Sequence, residues 1–189
     1  MKRTYPAVHT ADPDARVLLG GLTNYSWDNL DALYRAGAKG SFDYVAVHPF
    51  TKQVDGVVTI LERVRKVMMF NGESGRHLFV TETSWPSSLN KTTRQYGFEE
   101  TEQGQAKKIA AVYKLLAKER KRLKINGVYW YTWLTTDTAH VESFNYAGVV
   151  KYQHGKVTRK PAYAKLRDTA IPLEGCLAKA TNAGSCSKR

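Results

Sequence analysis

The segment HLFVTETSWPSS, residues 77 to 88, places one acidic side chain, Glu82, directly after an apolar run and just before a Trp-Pro turn. A carboxylate in this position can act as a nucleophile, a general base or a metal ligand, or it can be a plain surface acid. The first three roles need partner groups elsewhere in the chain. The other candidate residues therefore decide which chemistry Glu82 can perform.

Metal chemistry and serine chemistry both lack support in the sequence. The five histidines show no short ligand spacing such as H-x-x-x-H; they are His9, His48, His77, His140 and His154. Ser84 lacks the strand-turn-helix motif G-x-S-x-G that would make it a nucleophile. We therefore expect no metal ion and no other cofactor.

The remaining chemistry is that of carboxylates acting on a polyhydroxylated substrate, where one attacks the anomeric carbon and another protonates the leaving oxygen. Sugar rings pack on aromatic side chains, and Trp85, Trp130 and Trp133 lie at or near the ends of two predicted strands. A core position is a strong alternative for each tryptophan. Alternation along VYWYTWL would put Trp130 and Trp133 on opposite faces, and we expect Trp133, closer to the strand end, to face the site.

Alternating β-branched and amphipathic runs predict the elements that must position these residues. The predicted strands are 16–22, 43–50, 77–83 and 127–134, and the predicted helices are 27–37, 54–72, 99–125 and 160–168. Strands alternating with helices imply parallel pairing through right-handed crossovers, hence an α/β sheet or part of a barrel. A nucleotide-binding fold is disfavoured because GGLTNYSW lacks the spacing of a phosphate-binding loop.

Two strand-to-helix connections, residues 84–98 and 135–159, are long, and we expect both to be unstructured loops. Ligands of α/β proteins bind at the carboxyl ends of the strands, where these loops begin. Glu82 lies at such an end. The loops and Glu82 therefore mark the expected functional face.

Composition limits the partners of the chain. Its 189 residues carry a net charge of +12, which raises the possibility of nucleic acid or anionic lipid. The densest basic run, KERKRLK at residues 118–124, closes the long predicted helix, where cations favour the negative end of the helix dipole. No apolar segment approaches the ~20 residues that span a bilayer. We expect neither a nucleic-acid nor a membrane partner.

The two cysteines, Cys176 and Cys186, both lie in a small, polar tail at residues 171–189. They could close a short disulfide loop, which would indicate an exported protein whose signal lies outside this chain. We therefore expect a secreted protein.

The order of the motifs resembles the carboxyl-terminal half of clan-A retaining glycoside hydrolases, a (β/α)8-barrel group that includes β-xylosidases, endoglucanases and β-glucanases. VTETSWPSS resembles the seventh strand with its nucleophile, VYWYTW the eighth strand with its sugar-platform tryptophan, and YVAVHPF the sixth strand. ADPDARVLLGGL is similar to the passage from the fourth helix to the fifth strand, and FNYAGVV with RKPAYAKL to the closing loop and last helix. The resemblance implies that residues 1–170 form strands 5 to 8 of a TIM barrel.

The resemblance also implies a role for each candidate residue in binding and cleaving a carbohydrate. Glu82 would be the nucleophile, His48 would hydrogen-bond within the sugar subsite, and Trp133 would stack against the sugar. Trp85 would contact substrate or instead shape its loop. Many relatives place a tyrosine hydroxyl near the end of the sixth strand to orient the nucleophile, whereas this chain has Phe50.

The acid/base glutamate of this family follows an asparagine at the end of the fourth strand, before the point where this chain starts. No Asn-Glu pair occurs in the sequence, although retaining catalysis needs two carboxyl groups about 5 to 5.5 Å apart. Other acids near loops are Glu142, Asp137, Glu73 and Asp28, of which the first two belong to the loop after the last strand.

Two hypotheses follow from the missing carboxyl group. Either the chain is half of a glycosidase, completed by an amino-terminal half barrel, or it is a non-catalytic half barrel that at most binds saccharide or self-associates. In both cases we expect two open sheet edges and an uncovered apolar face.

Overall fold

The computed structural model describes residues 1–175, so Cys176, Cys186 and their predicted disulfide lie outside the described residues. The chain divides into two compact units. The first unit comprises Met1–Phe50, Asp55–Thr83 and Glu119–Tyr129. The second unit comprises Thr51–Val54, Ser84–Lys118 and the described residues from Trp130 onward.

The first unit is built on a four-stranded sheet with the order β1-β2-β3-β4. Its elements are α1 (Thr4–Ala11), β1 (Leu18–Thr23), α2 (Ser26–Arg35), β2 (Tyr44–His48), α3 (Val54–Phe70), β3 (His77–Thr83) and β4 (Ile125–Trp130). β2 pairs in parallel with both β1 and β3. The predicted alternation of strands and helices is therefore confirmed, and the carboxyl ends of β1, β2 and β3 lie at one edge of the sheet.

One face of this sheet belongs to the core of the unit. Val45 is buried and pairs with Leu19 on one side and Leu78 on the other, and all three side chains lie on the same face. Buried residues of α2 and α3 complete this core; they are Leu30, Val57, Leu61, Val64 and Met68. Burial of these side chains is the main force that holds the helices on the sheet.

The opposite face of the sheet is less covered. It carries Leu18, which is exposed, and Tyr44 and Phe79, which are half-buried and meet edge to face with ring centroids 5.2 Å apart. Within the described residues, β1 and β4 each have one neighbouring strand. This sheet therefore has two open edges and an apolar face that is only partly covered.

The second unit contains a smaller sheet with the order β5-β6-β7. Its elements are most of α4 (Glu102–Leu123), β5 (Leu134–Thr135), a 3-10 helix (Ser143–Tyr146), β6 (Val150–Gln153), β7 (Lys156–Arg159) and α5 (Pro161–Leu173). Its core includes Ile109 and Val149, with Trp130 and Tyr163 packed against it.

The prediction that residues 135–159 form an unstructured loop is wrong, because this segment contains the 3-10 helix and the β6–β7 hairpin. The hairpin turns at His154 and Gly155, whose φ angles are +50° and +76°. Positive φ at both central residues gives a turn with the twist that an antiparallel pair requires. The turn at His154 and Gly155 thus forms a hairpin within a segment whose length had indicated a loop.

The prediction that one strand runs from residue 127 to 134 is also wrong. β4 ends at Trp130, and Leu134–Thr135 belong to the second sheet, where they pair in parallel with β6. The N–H groups of Val149 and Val150 each donate to the Trp133 carbonyl at 3.0 Å, which holds this segment beside β6. Trp130 and Trp133 therefore share no strand, and the alternation argument about their faces does not apply.

The N-terminal helix α1 falls where the resemblance placed the fourth helix, although hydrophobic periodicity did not predict it. Within the described part of the chain, no helix is both long and apolar enough to cross a membrane.

Candidate active site

Two candidate residues meet at the carboxyl ends of adjacent parallel strands. His48 is the last residue of β2, and Glu82 is the penultimate residue of β3. The His48 Nδ1 atom lies 3.4 Å from Glu82 Oε2, and the two side chains are 16% and 34% exposed. A partly solvated carboxylate thus lies beside an imidazole nitrogen that attracts it when the ring is protonated.

The burial pattern along β3 departs from regular alternation at the end of the strand. Leu78 and Val80 are buried on the core face, so strict alternation would place Glu82 on that face as well. Instead Thr81 and Glu82 are both half-buried, and Glu82 approaches His48, which extends from the face opposite the core. The Glu82 carboxylate therefore lies outside the apolar core.

Trp85 is completely buried in the second unit. Its indole N–H donates to the Lys52 carbonyl at 3.1 Å, and its own carbonyl accepts from Gln105 Nε2 at 3.0 Å. Lys108 Nζ lies 5.6 Å above the ring. This position offers no ring face to a ligand and favours the alternative in which Trp85 shapes the loop after β3.

Trp133 has the opposite environment, because 59% of it is exposed. Its main chain is anchored by the hydrogen bonds to β6, and its ring meets Tyr163 with centroids 5.7 Å apart at 68°. The ring is therefore held in place while much of its surface stays open to solvent. An anchored, exposed indole is suited to packing on the apolar face of a sugar ring.

The loop acid Asp137 is committed to a buried ion pair. Its Oδ2 accepts from Lys160 Nζ at 3.0 Å and its Oδ1 from the Thr135 hydroxyl at 2.6 Å. Lys160 also donates to the Tyr146 carbonyl at 2.9 Å, and burial lowers the pKa of its ammonium group. A carboxylate held in this way is poorly suited to exchange protons with a substrate.

The other loop acid, Glu142, is also engaged, although it is more exposed than Asp137. It accepts from Arg94 Nη1 at 3.2 Å and from the Tyr96 hydroxyl at 2.9 Å. The hydrogen bond to this carboxylate is the main cause that raises the pKa of Tyr96.

The other two acids, Glu73 and Asp28, are poorly placed to act as general acids beside Glu82. Glu73 is buried, accepts from the Tyr34 hydroxyl at 2.7 Å and pairs with Arg76 Nε at 2.9 Å. It precedes β3, at the end of the strand opposite to Glu82. Asp28 is exposed in the first turn of α2, where a carboxylate stabilises the positive end of the helix dipole.

Gly21 is a neighbour of the site that the sequence analysis passed over. A Cβ built on this residue would overlap Nε2 and Cε1 of the His48 ring and would lie 2.7 Å from its Cδ2. The signal in the sequence was the pair Gly20-Gly21 inside an apolar strand, since glycine there often marks a bulge or a close approach.

No family model matches this sequence, and no curated protein matches it either. Solved structures do match. A GH39 β-xylosidase from Caulobacter crescentus superposes with a TM-score of 0.54 and 19% identity, over 89% of this chain and 35% of that chain. The xylanase XynB from Paenibacillus barcinonensis, solved with a conduramine derivative, superposes with a TM-score of 0.55 and 17% identity, over 87% and 51%.

This chain has a glycosidase-like α/β fold. The resemblance predicted from the motifs is thereby confirmed, at the level of the fold. This chain spans about half, or less, of the length of these two solved structures. Among residues 1–175, no group of three or more His, Cys, Asp or Glu side chains could hold a metal ion.

Proposed function

We propose that this glycosidase-like chain is the carboxyl-terminal half, strands 5 to 8, of a retaining glycoside hydrolase barrel with Glu82 as its nucleophile. The observation that carries the proposal is the pairing of Glu82 with His48 at adjacent carboxyl strand ends. Ligands of such folds bind at that edge. The likeness to a β-xylosidase and a xylanase makes glycosides, and xylosides first among them, the substrate class to test.

In the proposed reaction, a Glu82 oxygen forms a bond to the anomeric carbon as the bond to the leaving oxygen breaks. The leaving oxygen takes a proton from a second carboxyl group, and water later hydrolyses the glycosyl ester. His48 holds the Glu82 carboxylate in place before attack. The proposal also gives Trp133 a sugar-stacking role, supported by its exposed ring.

The second carboxyl group comes from a partner half barrel in this proposal. Asp137 is buried against Lys160, Glu142 is bonded to Arg94, and Glu73 lies at the wrong strand end. A general acid must lie within hydrogen-bond reach of the leaving oxygen. The engaged state of these acids therefore supports a source outside the described residues, and a secreted location would suit a polysaccharide substrate.

The second candidate function is a non-catalytic half barrel that binds saccharide or self-associates. It is favoured by the open edges of β1 and β4 and by the exposed Leu18 and Tyr129 on those strands. Unpaired strand edges are templates for pairing with another chain.

The experiment that separates the two uses an aryl xyloside with a good leaving group and a fluorine at C2. Such a substrate expels a phenolate without needing a general acid, and the fluorine slows hydrolysis of the ester. We expect mass spectrometry to find the glycosyl group on Glu82, with no label on the Glu82→Gln variant. The matched control Glu62→Gln, which changes a partly exposed acid paired with Arg122, should label normally. A label on another residue removes Glu82 from the nucleophile's role.

A further inference from the structure

The carboxyl end of β1 contains a bulge at its two glycines. Leu19 pairs with Val45 and Leu22 pairs with Val47, so Gly20 and Gly21 together oppose the single residue between the two valines. A bulge of this kind bends the strand and redirects the side chains around it. The shift brings Thr23 opposite His48 at the end of β2.

The two glycines differ sharply in what surrounds them. A Cβ on Gly20 would meet nothing within 4 Å, whereas a Cβ on Gly21 would overlap the imidazole ring of His48. Neither glycine has a positive φ angle. The backbone at both positions can therefore accept alanine, and the obstacle at Gly21 is the ring itself.

The imidazole is thus confined on both of its nitrogen sides. Its Nε2 side lies against the β1 main chain at Gly21, and its Nδ1 lies 3.4 Å from Glu82 Oε2. Phe50 meets the same ring edge to face, with centroids 6.4 Å apart. A side chain at Gly21 would have to displace the ring, and its Nδ1 with it.

We propose that Gly21 is a positioning residue: the space left by its missing side chain lets the His48 ring lie against β1 and direct Nδ1 at Glu82. The effect on reaction rate rests on the proposed function, whereas the placement of the ring does not. The chain offers its own control, because Gly20 is the adjacent residue in the same bulge.

The test compares Gly21→Ala with Gly20→Ala, each made alone and together with His48→Ala. The NMR signals of the His48 ring carbon-bound protons should shift in Gly21→Ala and stay unchanged in Gly20→Ala. Gly21→Ala should also lower the thermal unfolding midpoint in the parent protein, but not in the His48→Ala background, where no ring fills the space. Should Gly21→Ala fail to fold alone, the double variant should fold.

Equal loss of stability from Gly21→Ala in both backgrounds would overturn the proposal, because glycine would then serve only the strand. Unchanged His48 signals in Gly21→Ala would overturn it as well.

The link to chemistry is measured by the labelling rate of Glu82. We expect Gly21→Ala to slow labelling by about 10- to 100-fold, since a small misplacement of a positioning group can cost that much. Gly20→Ala should label at the parent rate, and adding Gly21→Ala to His48→Ala should cause no further loss. A parent rate in Gly21→Ala contradicts the role. If the parent protein itself fails to label, the proposed function fails, and the NMR and unfolding comparison still decides the placement of the ring.

Discussion

Two contacts between a carboxylate and a basic side chain have opposite environments in this molecule. In the second unit, Lys160 Nζ lies 3.0 Å from Asp137 Oδ2, and the two side chains are 0% and 3% exposed. In the first unit, His48 Nδ1 lies 3.4 Å from Glu82 Oε2, and both side chains retain contact with solvent. The Thr135 hydroxyl donates a further hydrogen bond to Asp137, and Lys160 donates one to the Tyr146 carbonyl.

The difference separates a structural carboxylate from an available one. Burying an ion pair costs desolvation energy, which is recovered only when the remaining donors and acceptors are also satisfied. Asp137 meets that condition, so it stabilises its loop and has little capacity left for a ligand. Glu82 has a partly exposed carboxylate, as the proposed attack on the anomeric carbon of a substrate requires.

The largest effect on stability is expected when Lys160 is removed. Lys160→Met leaves Asp137 buried without its cation, and we expect the free energy of unfolding to fall by about 3–5 kcal/mol. Urea denaturation followed by circular dichroism measures this loss. The double variant Lys160→Met with Asp137→Asn should recover part of it. A loss below about 1 kcal/mol would show that the pair is not the structural centre of its loop.

Another buried carboxylate, Glu99, should behave like Asp137. It accepts from the N–H groups of Tyr96 and Gly97 at 2.6 and 2.9 Å and from the Ser143 hydroxyl at 2.8 Å. Burial by itself would raise the pKa of Glu99, but the hydrogen bonds to its charged form outweigh burial and hold the pKa below its ordinary value of 4.5. Glu99→Gln should destabilise the protein by about 1–3 kcal/mol at neutral pH.

The pH dependence of this effect follows from the direction of the shift. Because the pKa is lower in the folded state, the stabilising contribution is fully present above pH 4.5 and is lost as the pH falls through the folded-state value. The difference in unfolding free energy between the parent and Glu99→Gln should therefore shrink in acid. A difference that stays constant from pH 7 to about pH 3 would exclude ionised Glu99 as its source.

The smallest effect on stability is expected at the available carboxylate. Glu82→Gln removes a carboxylate that is 34% exposed. The distance from this carboxylate to His48, 3.4 Å, is longer than the 3.0 Å between Asp137 and Lys160. Its free energy of unfolding should change by less than about 1 kcal/mol, since exposed pairs contribute little. The same denaturation measurement, run beside Lys160→Met, tests the contrast. A loss as large as that of Lys160→Met would identify Glu82 as a structural acid.

Much of the fold was predictable from local patterns. The predicted strand 77–83 matches β3, and the buried residues Ile109, Val112 and Leu116 of α4 have the i, i+3, i+7 spacing of one helix face. Such patterns succeed because apolar residues on one face of a helix or strand are driven into the core wherever that core lies. The motif order also led to the correct fold resemblance.

The failures arose where non-local contacts overrode the local pattern. Trp133 lies outside β4 because its carbonyl bonds to Val149 and Val150, which are distant in sequence. Trp85 is buried through contacts with Lys52 and Gln105, which no spacing along the chain could indicate. Hydrogen bonds between remote segments have no periodic signature, so sequence patterns did not predict these positions.

The order of β1 to β4 and of the helices α2 to α4 between them, and the glutamate at the end of β3, could be predicted from the residues alone, because hydrophobic periodicity and chain order are local properties. Which of the candidate acids are engaged in other contacts, and which one is available, follows from the folded structure. That distinction depends on distances between residues far apart in the chain. Asp137 contacts Lys160, Glu73 contacts Tyr34, and Glu82 contacts His48, whose ring lies against Gly21.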